Sequence, residues 1–191
     1  MKKLAFMVLA VICFVSFIDS TYAATLKGVD IVYARSNLRA QGDGEILWHN
    51  MRSFRGLCPV GTEVKITGYT DKVICFVTTE TKKGYVVYAA DPNQWDKFFV
   101  KNKNEIGLDK FSPDTKAKVI NCEVANGMTK EEVYASKGCP AYLAWGKKTF
   151  KISFNEIIKS DKWYYMTNRH GQDVMVTFEN GVVIKTGGFE K

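Results

Sequence analysis

Hydrophobic and polar positions along this chain fall into three regimes. Leu4 to Phe17 is an almost unbroken apolar run behind Lys2 and Lys3. From Gly28 to Tyr88 the apolar residues come in short or alternating runs: Val29 to Tyr33, Ile46 to Trp48, Glu63 to Thr67, Val73 to Thr78 and Tyr85 to Tyr88. Turn signals separate them, among them Gln41-Gly42-Asp43-Gly44, Pro59-Val60-Gly61 and Lys82-Lys83-Gly84. Runs of this kind bounded by turn residues predict strands, and several short strands in succession predict a small barrel whose closure removes exposed edges.

After the strand runs the period changes. Asp91 to Lys110 holds Trp95, Phe98, Phe99 and Val100 and then a polar Lys101-Asn102-Lys103-Asn104-Glu105 run. This predicts a closing strand or short helical turn up to Val100 and then a linker, with Trp95, Phe98 and Phe99 packed between domains. Ser112-Pro113-Asp114 starts a helix, since proline suits the first helical position and Ser112 can cap. Ala117, Ile120 and Val124 recur at spacings of three and four and predict its buried stripe, with Asn126-Gly127 as its end. Thr129 and Glu132 form a capping box for a second helix, Met128 and Val133 a hydrophobic staple, and Gly138 with Pro140 a stop.

Strands follow at Lys162 to Thr167, with Trp163 and Tyr165 on one face, at Val174 to Phe178 and at Val182 to Thr186. Asn180-Gly181 is a strong hairpin signal between the last two, and Asn168 to Asp173 makes the turn before them. Between the second helix and these strands the pattern is hard to read; Trp145-Gly146 marks a turn, and Phe150, Ile152 and Phe154 alternate like an extra strand. The expected fold class is therefore β plus α+β: a small barrel over residues 24–100, a linker at 101–111, and an α-α-β-β-β two-layer domain over 112–191.

The first regime is a leader rather than part of the fold. A charged start, an apolar core too short for a membrane span, and small residues at Thr21-Tyr22-Ala23 predict a secretory signal peptide, residues 1–23. Cys13 follows Ile12 inside the apolar run, which argues against lipid anchoring there, so the expected product is soluble and periplasmic or secreted. Cleavage removes two lysines and Asp19, which lowers the formal net charge of +7 by one. A mildly basic exported protein favours anionic partners such as acidic lipid headgroups, hence a peripheral contact with an anionic membrane, or cell-wall carboxylates. Export and the strand-like placement of the aromatics argue against nucleic acid.

Export also colours the cysteines. Cys58, Cys75, Cys122 and Cys139 remain after cleavage, and an even number in an oxidising compartment favours disulfides. Two fall in each half, so Cys58–Cys75 and Cys122–Cys139 are the expected pairs, the second requiring helices that cross at an angle. Zinc is disfavoured, because no close CxxC pair exists and only His49 and His170 are at hand. A hydrolase needs a nucleophile beside an oriented base. Oxidised cysteines cannot attack, neither histidine sits in an orienting motif, and no phosphate loop is present. The residues therefore point to no cofactor, no metal and no catalytic constellation.

Two resemblances sharpen this outline. Ser36-Asn37-Leu38-Arg39, then Pro59-Val60-Gly61-Thr62-Glu63-Val64, then Thr81-Lys82-Lys83-Gly84-Tyr85-Val86 come in the order of the landmarks of bacterial SH3-like (SH3b) domains. The first half resembles that family, although Val73-Ile74-Cys75-Phe76-Val77 stands where the family usually carries a tryptophan. The resemblance implies a groove for peptidoglycan or peptides; Tyr33, Trp48, Tyr85 and Tyr88 are candidates either for its lining or for ordinary barrel packing, and Arg39 either supports the first loop or contacts the ligand. In the second half, Gly127-Met128-Thr129, Val133, Gly138-Cys139-Pro140, Trp163-Tyr164-Tyr165 and Phe178-Glu179-Asn180-Gly181-Val182-Val183 are similar to the signature of the BamE-like (SmpA/OmlA) family of outer-membrane assembly lipoproteins. The secreted β-lactamase-inhibitor proteins use similar helix–helix–sheet units. Together these imply a non-enzymatic binding or scaffold protein of the bacterial cell envelope, its partner an envelope protein or peptidoglycan. The alternative is a secreted protein inhibitor of an enzyme.

Overall fold

Residues 31–50, 55–88, 92–166 and 173–188 are described by the structure, a computed structural model. The expected signal peptide, residues 29–30 of the first expected strand, and His170 in its expected turn lie outside the described residues. The chain is mainly β with few helices.

In the first half, β1 (Ile31–Ala34), β2 (Leu38–Gln41), β3 (Glu45–Leu47), β4 (Gly56–Cys58), β5 (Glu63–Tyr69), β6 (Val73–Thr78), β7 (Gly84–Tyr88) and β8 (Phe99–Val100) form one sheet curled into a half-barrel, in the order β4-β2-β3-β7-β6-β5-β1-β8. Alternation drives the curl: Ile74, Phe76 and Thr78 of β6 are buried while Val73, Cys75 and Val77 are half-exposed, so every second side chain enters one core. The expected closure does not occur. Strands β4 and β8 remain the two edges of the sheet. Two strands escape a sequence reading for physical reasons. Leu38, Arg39 and Ala40 of β2 are all buried, which erases the period of two, and β4 is three residues long.

The expected linker is ordered. Asn102 accepts from Asn104 N at 3.0 Å, and Glu105 Oε1 accepts from Asn102 N at 2.8 Å, which caps a turn of 3-10 helix at Lys103–Ile106. A second such turn, Leu108–Lys110, leads to Phe111, which is buried in the core of the second half.

That half comprises α1 (Pro113–Ile120), α2 (Lys130–Lys137), β9 (Tyr142–Leu143), β10 (Lys147–Lys148), α3 (Phe154–Lys159), β11 (Lys162–Met166), β12 (Asp173–Glu179) and β13 (Val182–Gly188). Its sheet is antiparallel in the order β10-β9-β11-β12-β13. Trp163, fully buried, sits at the centre of the core; it meets Phe178 at 4.7 Å and Tyr134 of α2 at 6.0 Å, both edge-on, and its Nε1–H donates to Ile157 O and Ser160 O. Helix α2 has the expected anatomy: Thr129 and Glu132 cap each other's backbone, and Met128 and Val133 are buried in the same cluster. Asn180 and Gly181 have φ of 50° and 81°, the pair of positive values that a two-residue hairpin turn demands. Among the described residues no helix is long and apolar enough to cross a membrane.

Two expectations for this half, and the disulfides expected in both halves, are corrected. Helix α1 stops at Ile120 instead of reaching Asn126-Gly127. Cys122 N–H donates to Val119 O and Glu123 N–H to Lys118 O, a Schellman ending with Cys122 at φ 57°. With the helix cut short, Val119 is the buried residue, while Ala117 is exposed and Ile120 is 70% exposed. Phe150, Ile152 and Phe154 are no strand: Thr149–Lys151 is a 3-10 turn and Phe154 opens α3, which Ser153 and Glu156 cap as a box. Finally, neither expected disulfide is formed, and all four cysteines are free thiols. Cys58 points into the barrel core from β4, whereas Cys75 lies on the half-exposed face of β6, with three strands between them in the sheet. Cys139 is buried beside Thr149, and Cys122 instead lies 3.4 Å from Asn37 Nδ2.

Cys122 carries a left-handed conformation that glycine adopts without strain. Replacing Cys122 with glycine is expected to raise stability by roughly 0.5–1 kcal/mol, seen as a higher urea midpoint at unchanged slope.

Candidate functional site

The Ser36-Asn37-Leu38-Arg39 motif does its work inside the molecule. Asn37 N–H donates to Ala135 O at 2.9 Å, and its side-chain amide donates to Val119 O at 2.5 Å and Ser136 O at 3.3 Å. Asn37 Oδ1 accepts from Val60 N. Arg39 Nη2 donates to Ser136 O at 3.3 Å and Nη1 to Asn50 O at 3.4 Å. Asn50 completes the set: Oδ1 accepts from Arg39 N at 2.7 Å, and Nδ2 donates to Asn37 O at 2.7 Å and to Lys137 O. Of the carbonyls so held, those of Ala135, Ser136 and Lys137 lie at the end of α2 and that of Val119 at the end of α1, where the last turn of a helix has no internal donors. Two asparagines and an arginine of the first half therefore cap a helix of the second.

The five expected groove residues do not come together. Tyr85 is inside the barrel, 4% exposed and stacked on Phe76 at 5.3 Å, with its hydroxyl donating to Leu57 O. Tyr33 and Tyr88 lie on the outer face, and their hydroxyls donate to Glu63 and Glu45. Both phenol pKa values are raised, Tyr33 chiefly by its hydrogen bond to Glu63 and Tyr88 chiefly by the charge of Glu45. Trp48 packs against both hydrophobic cores and meets Phe150 edge-on at 5.5 Å. Arg39 is 3% exposed at the joint.

Arg39 nevertheless borders a cleft of about 280 Å³. Its floor is the helix-facing side of the second sheet: Tyr165, Val174, Val176 and Thr186 occupy neighbouring positions because Tyr165 pairs with Val174 and Val176 with Thr186. Helix α2 covers the Trp163 end of this face and stops at Lys137; Val176 and Tyr165 are buried, and the face opens at half-buried Val174 and exposed Thr186. Glu123, Val124 and Lys137 form the walls. Tyr165 is tied to the end of α2, its hydroxyl donating to Gly138 O at 3.1 Å. The result is an apolar floor beneath a rim carrying both signs of charge, the usual make-up of a small-ligand or peptide site. Sequence reasoning reached only Arg39 of these residues. The others come from elements far apart in the chain, and no motif joins them.

The buried thiols favour their protonated state. Burial pushes the Cys58 thiol up to about 12 and raises those of Cys75 and Cys139. Thiolate, the nucleophilic form, is therefore scarce near neutrality. Among the described residues no cluster of three or more His, Cys, Asp or Glu can hold a metal ion. His49 has a lowered pKa because burial disfavours imidazolium, and its Nδ1 has no hydrogen-bond partner among the described residues.

The His49 shift fixes a pH dependence. Its folded pKa lies below the ordinary 6.5, so its contribution is fully present above that value and is lost as pH falls through the folded pKa. Between about pH 7.5 and about pH 5.5 the unfolding free energy is expected to fall, and His49→Gln is expected to flatten that slope in urea titrations at each pH.

No known protein family, no curated protein and no solved structure matches the chain.

Proposed function

We propose that this chain is an exported, non-enzymatic binding protein of the bacterial cell envelope, an SH3-like barrel fused to a BamE-like domain, with the cleft at their joint as its binding site. One observation carries the reading: a cleft opens at the far end of the second sheet, where half-buried Val174 and exposed Thr186 lie beside charged side chains from both halves. The half-barrel sheet supports the SH3-like assignment. Two short helices followed by an antiparallel three-strand run, with the Thr129 capping box and the Asn180-Gly181 hairpin, support the BamE-like one. Segment β9-β10-α3 is then an addition between helices and strands. Protonated, largely buried thiols support binding over nucleophilic chemistry.

The cleft suits a short peptide segment, either of an envelope protein or of the stem peptides of peptidoglycan. The test is retention of the whole exported chain on purified peptidoglycan, together with crosslinking capture from its own envelope. Val174→Trp, which fills the cleft from its floor, should abolish the specific capture while the unfolding midpoint holds. Capture that is unchanged by Val174→Trp would overturn the assignment. A single secreted enzyme held in stoichiometric amount would point to the inhibitor reading instead.

A further inference from the structure

The stretch from Lys147 to Lys151 is built unlike an ordinary loop. Lys147, Lys148 and Lys151 are exposed, and Phe150 between them is 36% exposed. Thr149 is fully buried, its hydroxyl donating to Pro140 O, and Ile152 just beyond is 6% exposed. From the first half, Lys97, only 2% exposed, donates from Nζ to Thr149 O at 3.1 Å and to Phe150 O at 3.0 Å. The Phe150 ring rests edge-on against Trp48. A buried lysine committed to two backbone carbonyls is an expensive fastening, and what it fastens is an apolar ring held at the surface among three cations.

We propose that this edge docks on an anionic lipid bilayer, with Phe150 entering the interface and Lys147, Lys148 and Lys151 facing the headgroups. The charge is one-sided, since the five residues carry three cations and no anion. Glu156 is the acidic neighbour. Its carboxylate accepts from Ser153 N and Ser153 Oγ, which is the main reason its pKa is lowered, and it feels Lys159 as well as Lys147. Lysine stems lie along the apolar boundary while their ammonium groups stay in water, which lets the ring sink without desolvating charge. Because the ring and the backbone are already fixed, binding orders little that was mobile. The site is independent of the cleft, and the two proposals fail separately.

Each lysine near a charged bilayer contributes about fivefold in partition, so attachment is reversible and salt-sensitive. The test is cosedimentation of the whole exported chain with phosphatidylcholine vesicles, with and without phosphatidylserine, at low and high salt. Binding is expected only with the anionic lipid and is expected to weaken at high salt. Lys147→Gln/Lys148→Gln/Lys151→Gln, all at exposed positions, should lower it about a hundredfold with the unfolding midpoint unchanged. Phe150→Ala should weaken it about tenfold. Equal binding to neutral vesicles, or a triple variant that binds like the parent, would overturn the proposal. So would a chain that ignores both vesicles yet binds soluble polyglutamate, the outcome expected of an edge for acidic proteins.

Discussion

Replacing Asn50 with leucine is expected to lower the unfolding free energy by roughly 3–6 kcal/mol, the largest loss at any single polar residue of the joint. Asn50 is 2% exposed, so its partners cannot turn to water. A leucine side chain fills much the same space but leaves Asn37 O, Lys137 O and the N–H of Arg39 buried without their bonds. Each such group costs about 1–3 kcal/mol, and the φ of 46° adds strain that asparagine tolerates better than leucine. Asn50→Asp should be milder, since it keeps the acceptor for Arg39 N. It turns the donor towards two carbonyls into a second acceptor, so its carboxyl should favour the protonated form. The loss it causes should then shrink as pH falls. Urea unfolding followed by tryptophan fluorescence measures both variants.

Gly138→Ala is the second. Gly138 ends α2 at φ 74°, ψ −155°, a region in effect reserved for glycine. A β-carbon there would lie 2.5 Å from Asn50 Nδ2 and 3.0 Å from Ser36 Oγ. Conformational strain of about 1–3 kcal/mol adds to a clash with the side chain that holds the two halves. The expected total is about 3–5 kcal/mol. The two sites touch, so their effects should not add. In an Asn50→Ala background the crowding atom is gone, and Gly138→Ala should cost less by more than about 0.5 kcal/mol. A double-mutant cycle that closes additively would show that the glycine answers to its backbone angles alone.

Legibility in the sequence followed locality. Val73 to Thr78 is read as a strand to the residue, because one face of β6 meets the core and the other does not. The Thr129–Glu132 box and the Asn180-Gly181 turn are written in adjacent residues, and they stand as expected. Strand β2 was lost for the opposite reason. Arg39 occupies a buried position there, and a charged residue in a core breaks the pattern on which strand reading depends. Arg39 drew attention as a ligand residue, yet its guanidinium bonds the end of α2 and only borders the cleft. Helix α3 was missed although Ser153 and Glu156 spell its cap, because three alternating apolar residues gave a stronger false signal. The cleft itself was illegible. It exists because α2 stops short of the sheet's far end, a fact about where elements meet rather than about any one of them.

The asparagine joint also constrains the order in which the chain can become stable. Asn37 bonds residues 82 and 99 positions further along, and Arg39 one that is 97 further along. Contacts of such separation are made late, because their loops must close before they reward the chain, and they slow folding to the millisecond-to-second range. The first half, emerging first, holds Asn37, Arg39, Asn50 and Lys97 in places meant for partners not yet synthesised. It is therefore expected to stay loosely held until α2 and Thr149 arrive, and a single unfolding transition for both halves is the expected result. On the proposed route of export, which takes the chain through a membrane as an extended strand, that delay would keep it threadable for as long as threading takes.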